Sequence, residues 1–131
     1  MFSKIELSTH QNAELVDITS QVQKKVSQSE ISDGICVVFV PHTTAGVTIN
    51  ENADPDVVQD ILMMLDKKIP TNDPGYRHSE GNSAAHIKAS LIGSSVSVIV
   101  ENGKLQLGTW QGIYFCEFDG PRKREIWIKF L

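Results

Sequence analysis

The sequence predicts a compact, single-domain α+β fold of about eight strands, in mixed or antiparallel sheet, with three helices. Three observations carry that reading. Apolar residues alternate with period two at both ends of the chain. Three segments between residues 17 and 93 are bracketed by helix-starting and helix-stopping residues. Strands cluster in the last third of the chain instead of alternating regularly with helices, which argues against a βαβ series.

The elements follow in order. Ile5 and Leu7 alternate with Lys4, Glu6 and Ser8, as in a half-buried strand. Gln11-Asn12 makes a turn into a short strand over 14–18. A helix follows, opened by Asp17 or Thr19, with Ile18, Val22 and Val26 on one face and Asp33-Gly34 ending the unit. The β-branched and aromatic run 35–40 reads as a strand buried on both faces, ended by Pro41. A strand over 44–50 places Val47 and Ile49 on one face. Asp54-Pro55 is an N-cap followed by proline at the first helical position. Val57, Val58, Ile61, Leu62 and Leu65 mark that helix, which stops before Pro70. Residues 70–81 lack apolar periodicity and form a long loop of the kind that often carries function. Asn82 caps a helix over 83–92, with Gly93 as its stop. A strand over 96–100 leads into Asn102-Gly103, the strongest hairpin signal in the chain. Residues 104–107 pair back, 109–118 form a strand bulged at Gly112, and 125–131 close the sheet with Ile126, Ile128 and Phe130 on one face.

With 131 residues the chain is long enough for a real core without a disulfide or structural metal. The net charge of −4 gives it no electrostatic reason to bind nucleic acid. No run is long and apolar enough for a membrane span, so no membrane partner is expected. The first ten residues lack an apolar signal-peptide core and already alternate like a strand, which predicts a cytoplasmic protein. Cys36 and Cys116 lie in apolar runs without a CxxC spacing, and read as buried reduced thiols.

Three of the four His stand at element boundaries. His42 follows the 35–40 strand, His78 lies in the long loop, and His86 lies one turn into the helix capped by Asn82. Taken singly, each is an ordinary polar boundary residue. Taken together, with His78 and His86 flanking one loop-to-helix passage, they point to a shared site. Three neutral imidazoles with an open position suit a catalytic transition metal. Carboxylates also gather near these segments, at Glu51, Asp54, Asp56 and Glu80. Asp54 is occupied as a helix N-cap and Asp56 as a first-turn charge, whereas Glu80 has no such task, which marks it for acid–base or metal work. Oxygen ligands suit Mg²⁺ or Mn²⁺ and imidazoles suit Zn²⁺, and the sequence leaves both open. The amides of Ser83, Ala84 and Ala85 at the helix start form a ready anion pocket. Gly81 and Asn82 lead into it, and Arg77 adds a guanidinium for phosphate. The basic run Arg122-Lys123-Arg124 is a solvated turn or a second anion contact.

Residues 42–52, His-Thr-Thr-Ala-Gly-Val-Thr-Ile-Asn-Glu-Asn, resemble the first signature of the YjbQ family, also called secondary thiamine-phosphate synthase. Residues 78–90, with Glu80-Gly81-Asn82 and Ala85-His86, resemble its second. Leu107-Gly108-Thr109-Trp110-Gln111 and the turn Asp119-Gly120-Pro121-Arg122 resemble its third, so the likeness spans nearly the whole chain. The resemblance implies a small α+β fold, a homotrimer, and family histidines at His42, His78 and His86. It implies a weak synthase activity that couples an aminopyrimidine diphosphate to a thiazole phosphate with loss of pyrophosphate. A divalent metal held by the three imidazoles, the helix start at Ser83, Arg77, and Arg122 from a neighbouring subunit would then neutralise the leaving group. Two other functions use the same residues: a non-catalytic trimer that binds a phosphorylated metabolite, and a metal-assisted hydrolase with Glu80 as general base.

Overall fold

A computed structural model describes residues 2–131. The described elements run β1 (Ser3–Ser8), β2 (Glu14–Asp17), α1 (Thr19–Ser29), β3 (Gly34–Phe39), β4 (Ala45–Glu51), α2 (Pro55–Lys68), α3 (Ser83–Ile92), β5 (Ser95–Glu101), β6 (Lys104–Leu105), β7 (Gln111–Glu117) and β8 (Lys123–Phe130). The eight strands form two sheets, ordered β1-β8-β3-β5-β6 and β2-β7-β4. Every strand pairing is antiparallel.

The two sheets face each other across the main core. The larger sheet contributes Ile5, Ile126, Ile128, Cys36, Val38, Val98 and Val100, and the smaller contributes Val47, Ile113 and Phe115. Helix α1 joins this core through Val22 and Val26, which with Ile18 keep the predicted four-residue spacing and are fully buried. On its other face the smaller sheet presents Tyr114, Cys116 and Phe118 to Ala85 and Ala89 of α3, with Val58 and Leu65 of α2 alongside. The β7 alternation therefore serves two cores at once. Buried Lys88 of α3 reaches Asp66 of α2 at 3.9 Å and ties the two helices together.

Local signals explain most element ends. The Asp54 carboxylate accepts from the Asp56 amide, with Pro55 at the first helical position. The Asp17 carboxylate accepts from the Thr19 amide and hydroxyl, although the capping position itself is Ile18. Asn102 and Gly103 both have positive φ, as a two-residue hairpin of the type I′ kind requires.

Several expectations change. The run 35–40 is not buried on both faces within the chain. Cys36 and Val38 point into the core, while Ile35 and Phe39 are 43% and 38% exposed on the outer face. That face continues to Ile99, and Trp127 stacks between Phe2 and Phe39 upon it. The 109–118 strand begins only at Gln111, and Trp110 is exposed. Gly112 forms no bulge: β4 and β7 stay in unbroken register from Ala45↔Glu117 to Glu51↔Gln111. Glycine is needed there because a Cβ would lie 2.5 Å from the Asn52 side-chain nitrogen. The strand over 104–107 shortens to two residues, and the last strand starts at Lys123.

Candidate functional site

The site grows from the place where β3 ends. In the β3–β8 ladder Phe39 stands opposite Trp127. Continued by two places, the ladder would set Pro41 opposite Glu125. The strand stops instead, and the His42 side chain replaces it: the Glu125 amide donates to His42 Nε2 at 2.9 Å. Burial lowers the His42 pKa, and the nearby Arg124 guanidinium lowers it further, against smaller opposing effects of Glu117 and Glu125.

Beneath this loop lies a buried ion pair. Arg124 alternates inward with Ile126 and Ile128, and Glu117 alternates inward with Ile113 and Phe115. The guanidinium donates to Glu117 Oε1 at 2.9 Å and, through a second nitrogen, to Glu117 Oε2. It also donates to Thr44 Oγ1 at 2.9 Å. The carboxylate accepts further bonds from the Thr9 hydroxyl and the Asp119 amide. Burial alone would raise the Glu117 pKa, but these hydrogen bonds outweigh it and hold the carboxyl below its ordinary value. Thr44 is thus anchored two residues beyond His42.

Two depressions are lined by the other two imidazoles. One, of about 370 Å³, is lined by His42, Thr43 and Ala45 on one side and by His86, Ser90 and Gly93 on the other. The second, of about 440 Å³, is lined by Asn72, Asp73, Tyr76, His78, Gly81 and Ser83. The His78 and His86 rings meet edge to face with centroids 5.3 Å apart, so an imidazole lining one depression touches an imidazole lining the other. Helix α3 is pressed close to β4 at this point: the Val47 amide donates to Gly93 O, and a Cβ on Gly46 would lie 2.6 Å from that oxygen. Gly46 lets the two walls of the first depression approach.

The remaining predicted residues divide. Glu80 is exposed, with a carboxylate oxygen 3.9 Å from His78 Nε2. Asn82 precedes α3 but its side chain does not cap the helix; its amide nitrogen donates to Asp119 Oδ2 at 2.9 Å. Arg122 donates to the same Asp119 oxygen and to the Asp119 carbonyl, so Asp119 joins the start of α3 to the Arg122 turn. Ser83 and Gly81 line the second depression. The Ala85 amide is spent on Asn82 O, and Ala84 and Ala85 pack inward, which narrows the expected anion pocket to its first amides. Arg77 is exposed and lines neither depression.

The expected three-imidazole metal set does not fit these donors. A metal ligand must offer a free lone pair. The pair on His42 Nε2 points at the Glu125 amide, and its other nitrogen then carries the proton. Among the described residues no three His, Cys, Asp or Glu side chains are grouped to hold a metal ion.

Residues 3–131 match the family described as UPF0047 protein YjbQ-like. The chain belongs to that family. The UPF0047 protein of Methanocaldococcus jannaschii is 53% identical over the whole chain and 94% of its own length. The UPF0047 protein YugU of Bacillus subtilis is 51% identical over the whole chain and 99% of its own length. Among solved structures, a Clostridium acetobutylicum member of the YjbQ/UPF0047 family superposes with a TM-score of 0.96. It is 60% identical, over 98% of this chain and 99% of that one. An Aeropyrum pernix protein, 34% identical, keeps a TM-score of 0.94 over 100% and 98% of the two chains. The UPF0047 fold thus holds its shape while two thirds of the side chains change.

The site contains residues that sequence reasoning missed, Thr9, Thr44, Glu117 and Asp119, and one that it misread: Arg124, expected in a solvated basic turn, is buried because it pairs with Glu117. A signal for the pair was present. Glu117 is a lone charge in an apolar run, and Arg124 shares the period-two face of Ile126 and Ile128. A charge on a buried face needs an opposite partner.

Proposed function

We propose that this UPF0047 chain binds phosphorylated small molecules between the 42–45 loop and α3, and acts there as a transferase of the thiamine-phosphate synthase type. The carrying observation is that His42 and His86 wall one depression while His78 meets His86 edge to face, at the start of a helix. In the proposed reaction the C–O bond between the pyrimidine methylene and the diphosphate breaks, and the electron pair leaves with pyrophosphate. The thiazole nitrogen then forms the new C–N bond and becomes the cationic thiazolium nitrogen. No proton must be removed to form that bond. The protein's tasks are to hold the two substrates in line and to neutralise the leaving group. His78, His86 and the first amides of α3 serve the second task, with the Arg122 guanidinium on the Asp119 bridge.

Assembly as a homotrimer belongs to the same proposal. Two different apolar surfaces support it: the outer face of the larger sheet around Phe39 and Ile99, and the Ile87–Leu91 stripe of α3. Unlike surfaces that complement each other close into a ring when the rotation permits.

The test is a coupling assay with both substrates, following the C–N product and pyrophosphate, with and without EDTA. We expect product from the wild type and a loss of about 100-fold in His86→Ala. Saturable pyrophosphate binding without product would make the chain a binding module. Free phosphate without coupling would make it a hydrolase. A rate abolished by EDTA would restore the metal.

A further inference from the structure

We infer that His42 is a fixed hydrogen-bond donor through Nδ1 to an oxygen of the bound molecule, and not a metal ligand. The tautomer follows from geometry. An amide hydrogen aimed at Nε2 from 2.9 Å requires a bare nitrogen there, because a second hydrogen would collide with it. A neutral imidazole with Nε2 bare carries its proton on Nδ1. The doubly protonated ring is excluded by the same contact, and it would also face the buried Arg124 charge. The other charged groups that act on the ring, Glu117 and Glu125, leave this assignment in place. Glu117 is already bound to Arg124, and the backbone amide of Glu125 supplies the deciding contact.

The Glu125 bond is itself a product of the fold. Proline at position 41 ends β3, and the amide on β8 that a strand carbonyl would have satisfied needs another acceptor. His42 supplies it, and the ring is oriented as a result. Among the described residues Nδ1 makes no hydrogen bond, and it is not sealed from solvent. It therefore offers one N–H, in a fixed direction, from a ring that lines both the depression shared with His86 and a larger one, of about 680 Å³, beside Glu6, Lys123 and Glu125. Such a group suits a phosphate or carbonyl oxygen. It can bind a cation only after the Glu125 bond breaks or the ring loses its last proton. The oxygen ligand rests on the phosphate-binding reading above; the tautomer does not.

The experiment is a two-bond ¹H–¹⁵N correlation spectrum of the wild-type protein, with His42 signals assigned by their loss in His42→Asn. Nδ1 should be protonated and Nε2 bare. Neither should move on addition of Zn²⁺, and Nδ1 should move on addition of inorganic pyrophosphate. Pyrophosphate affinity by calorimetry in EDTA should fall roughly tenfold in His42→Ala, the size of one hydrogen bond to a charged group. His42→Asn, whose amide overlays the Nδ1 edge, should recover most of that loss, although both variants lose the Glu125 contact equally. A protonated Nε2, or a Zn²⁺-induced shift of either His42 nitrogen, would overturn the inference. If pyrophosphate does not bind the wild type while the tautomer is as stated, the phosphate-binding reading falls and the tautomer stands.

Discussion

Replacing Glu117 with Gln tests whether the Arg124 pair organises the space beneath the site. The substitution keeps the shape of the side chain but leaves the Arg124 charge uncompensated, with both side chains at 5% exposure or less. Breaking a buried pair by removing one charge costs about 3–5 kcal/mol. For 131 residues the unfolding entropy near the midpoint is about 0.28 kcal/mol per kelvin, so the melting temperature should fall by about 11–18 °C. A second variant separates the charge from the packing. Arg124→Met with Glu117→Leu removes both charges and should recover at least about half of the loss. It will not recover all, because the Asp119 amide and the Thr44 hydroxyl lose their partners. The assay is urea unfolding at fixed protein concentration, with the slope required to stay unchanged so that the midpoint shift reads stability. The wild type should also lose this contribution in acid. The Glu117 pKa lies below its unfolded value, so the stabilisation is complete above the unfolded carboxyl pKa and is lost as pH falls through the folded one. A cost below about 1 kcal/mol for Glu117→Gln, the range of solvent-exposed pairs, would refute the reasoning.

Other outcomes follow from single contacts. Gly46→Ala should destabilise by about 1–3 kcal/mol in the same assay, because the new methyl meets Gly93 O and α3 must move away from β4. His42 has a lowered pKa, so its contribution is complete above the unfolded imidazole value of about 6.5 and declines as pH falls from there to the folded pKa. Melting temperatures measured across that window should slope in the wild type and flatten in His42→Asn. Phe39→Lys combined with Ile99→Lys places two charges on the outer apolar face and should shift sedimentation from the proposed trimer to a monomer, with the circular dichroism unchanged. A wild type that sediments as a monomer would remove the trimer outright.

The helices and the β5–β6 turn were legible because their signals are local. Asp54-Pro55, the spacing of Ile18, Val22 and Val26, and Asn102-Gly103 each act within a few residues, and each appears where the pattern placed it. Strand environment was less legible. The run 35–40 is apolar on both faces whether its outer face meets a helix, a second subunit or water, so periodicity could not tell that Ile35 and Phe39 lie open in the chain. Gly112 was misread for a related reason. A glycine in a strand signals a close approach as readily as a bulge, and here the approaching group is Asn52, sixty residues away in sequence. The thiols were legible from their apolar runs: both are buried, and burial raises the Cys36 pKa to about 11 and the Cys116 pKa to about 12.

The site shows the same division between near and far. That His78 could return beside His86 was readable, because a loop passing directly into a helix leaves the two close. What His42 does was not, because its partner is an amide eighty-three residues on, set opposite it by a strand register. This matters for how the histidines are counted. Three imidazoles at boundaries suggest three equal ligands, yet one of them completes a sheet before it can serve a site. The strand that needs it, β8, also carries Arg124, which holds Thr44 two residues beyond His42. Substitutions in the ion pair should therefore displace the His42 edge of the depression before they unfold the chain. Pyrophosphate affinity should weaken in Glu117→Gln even at temperatures where the variant remains folded, and unaltered affinity there would show that the two sets of residues are independent.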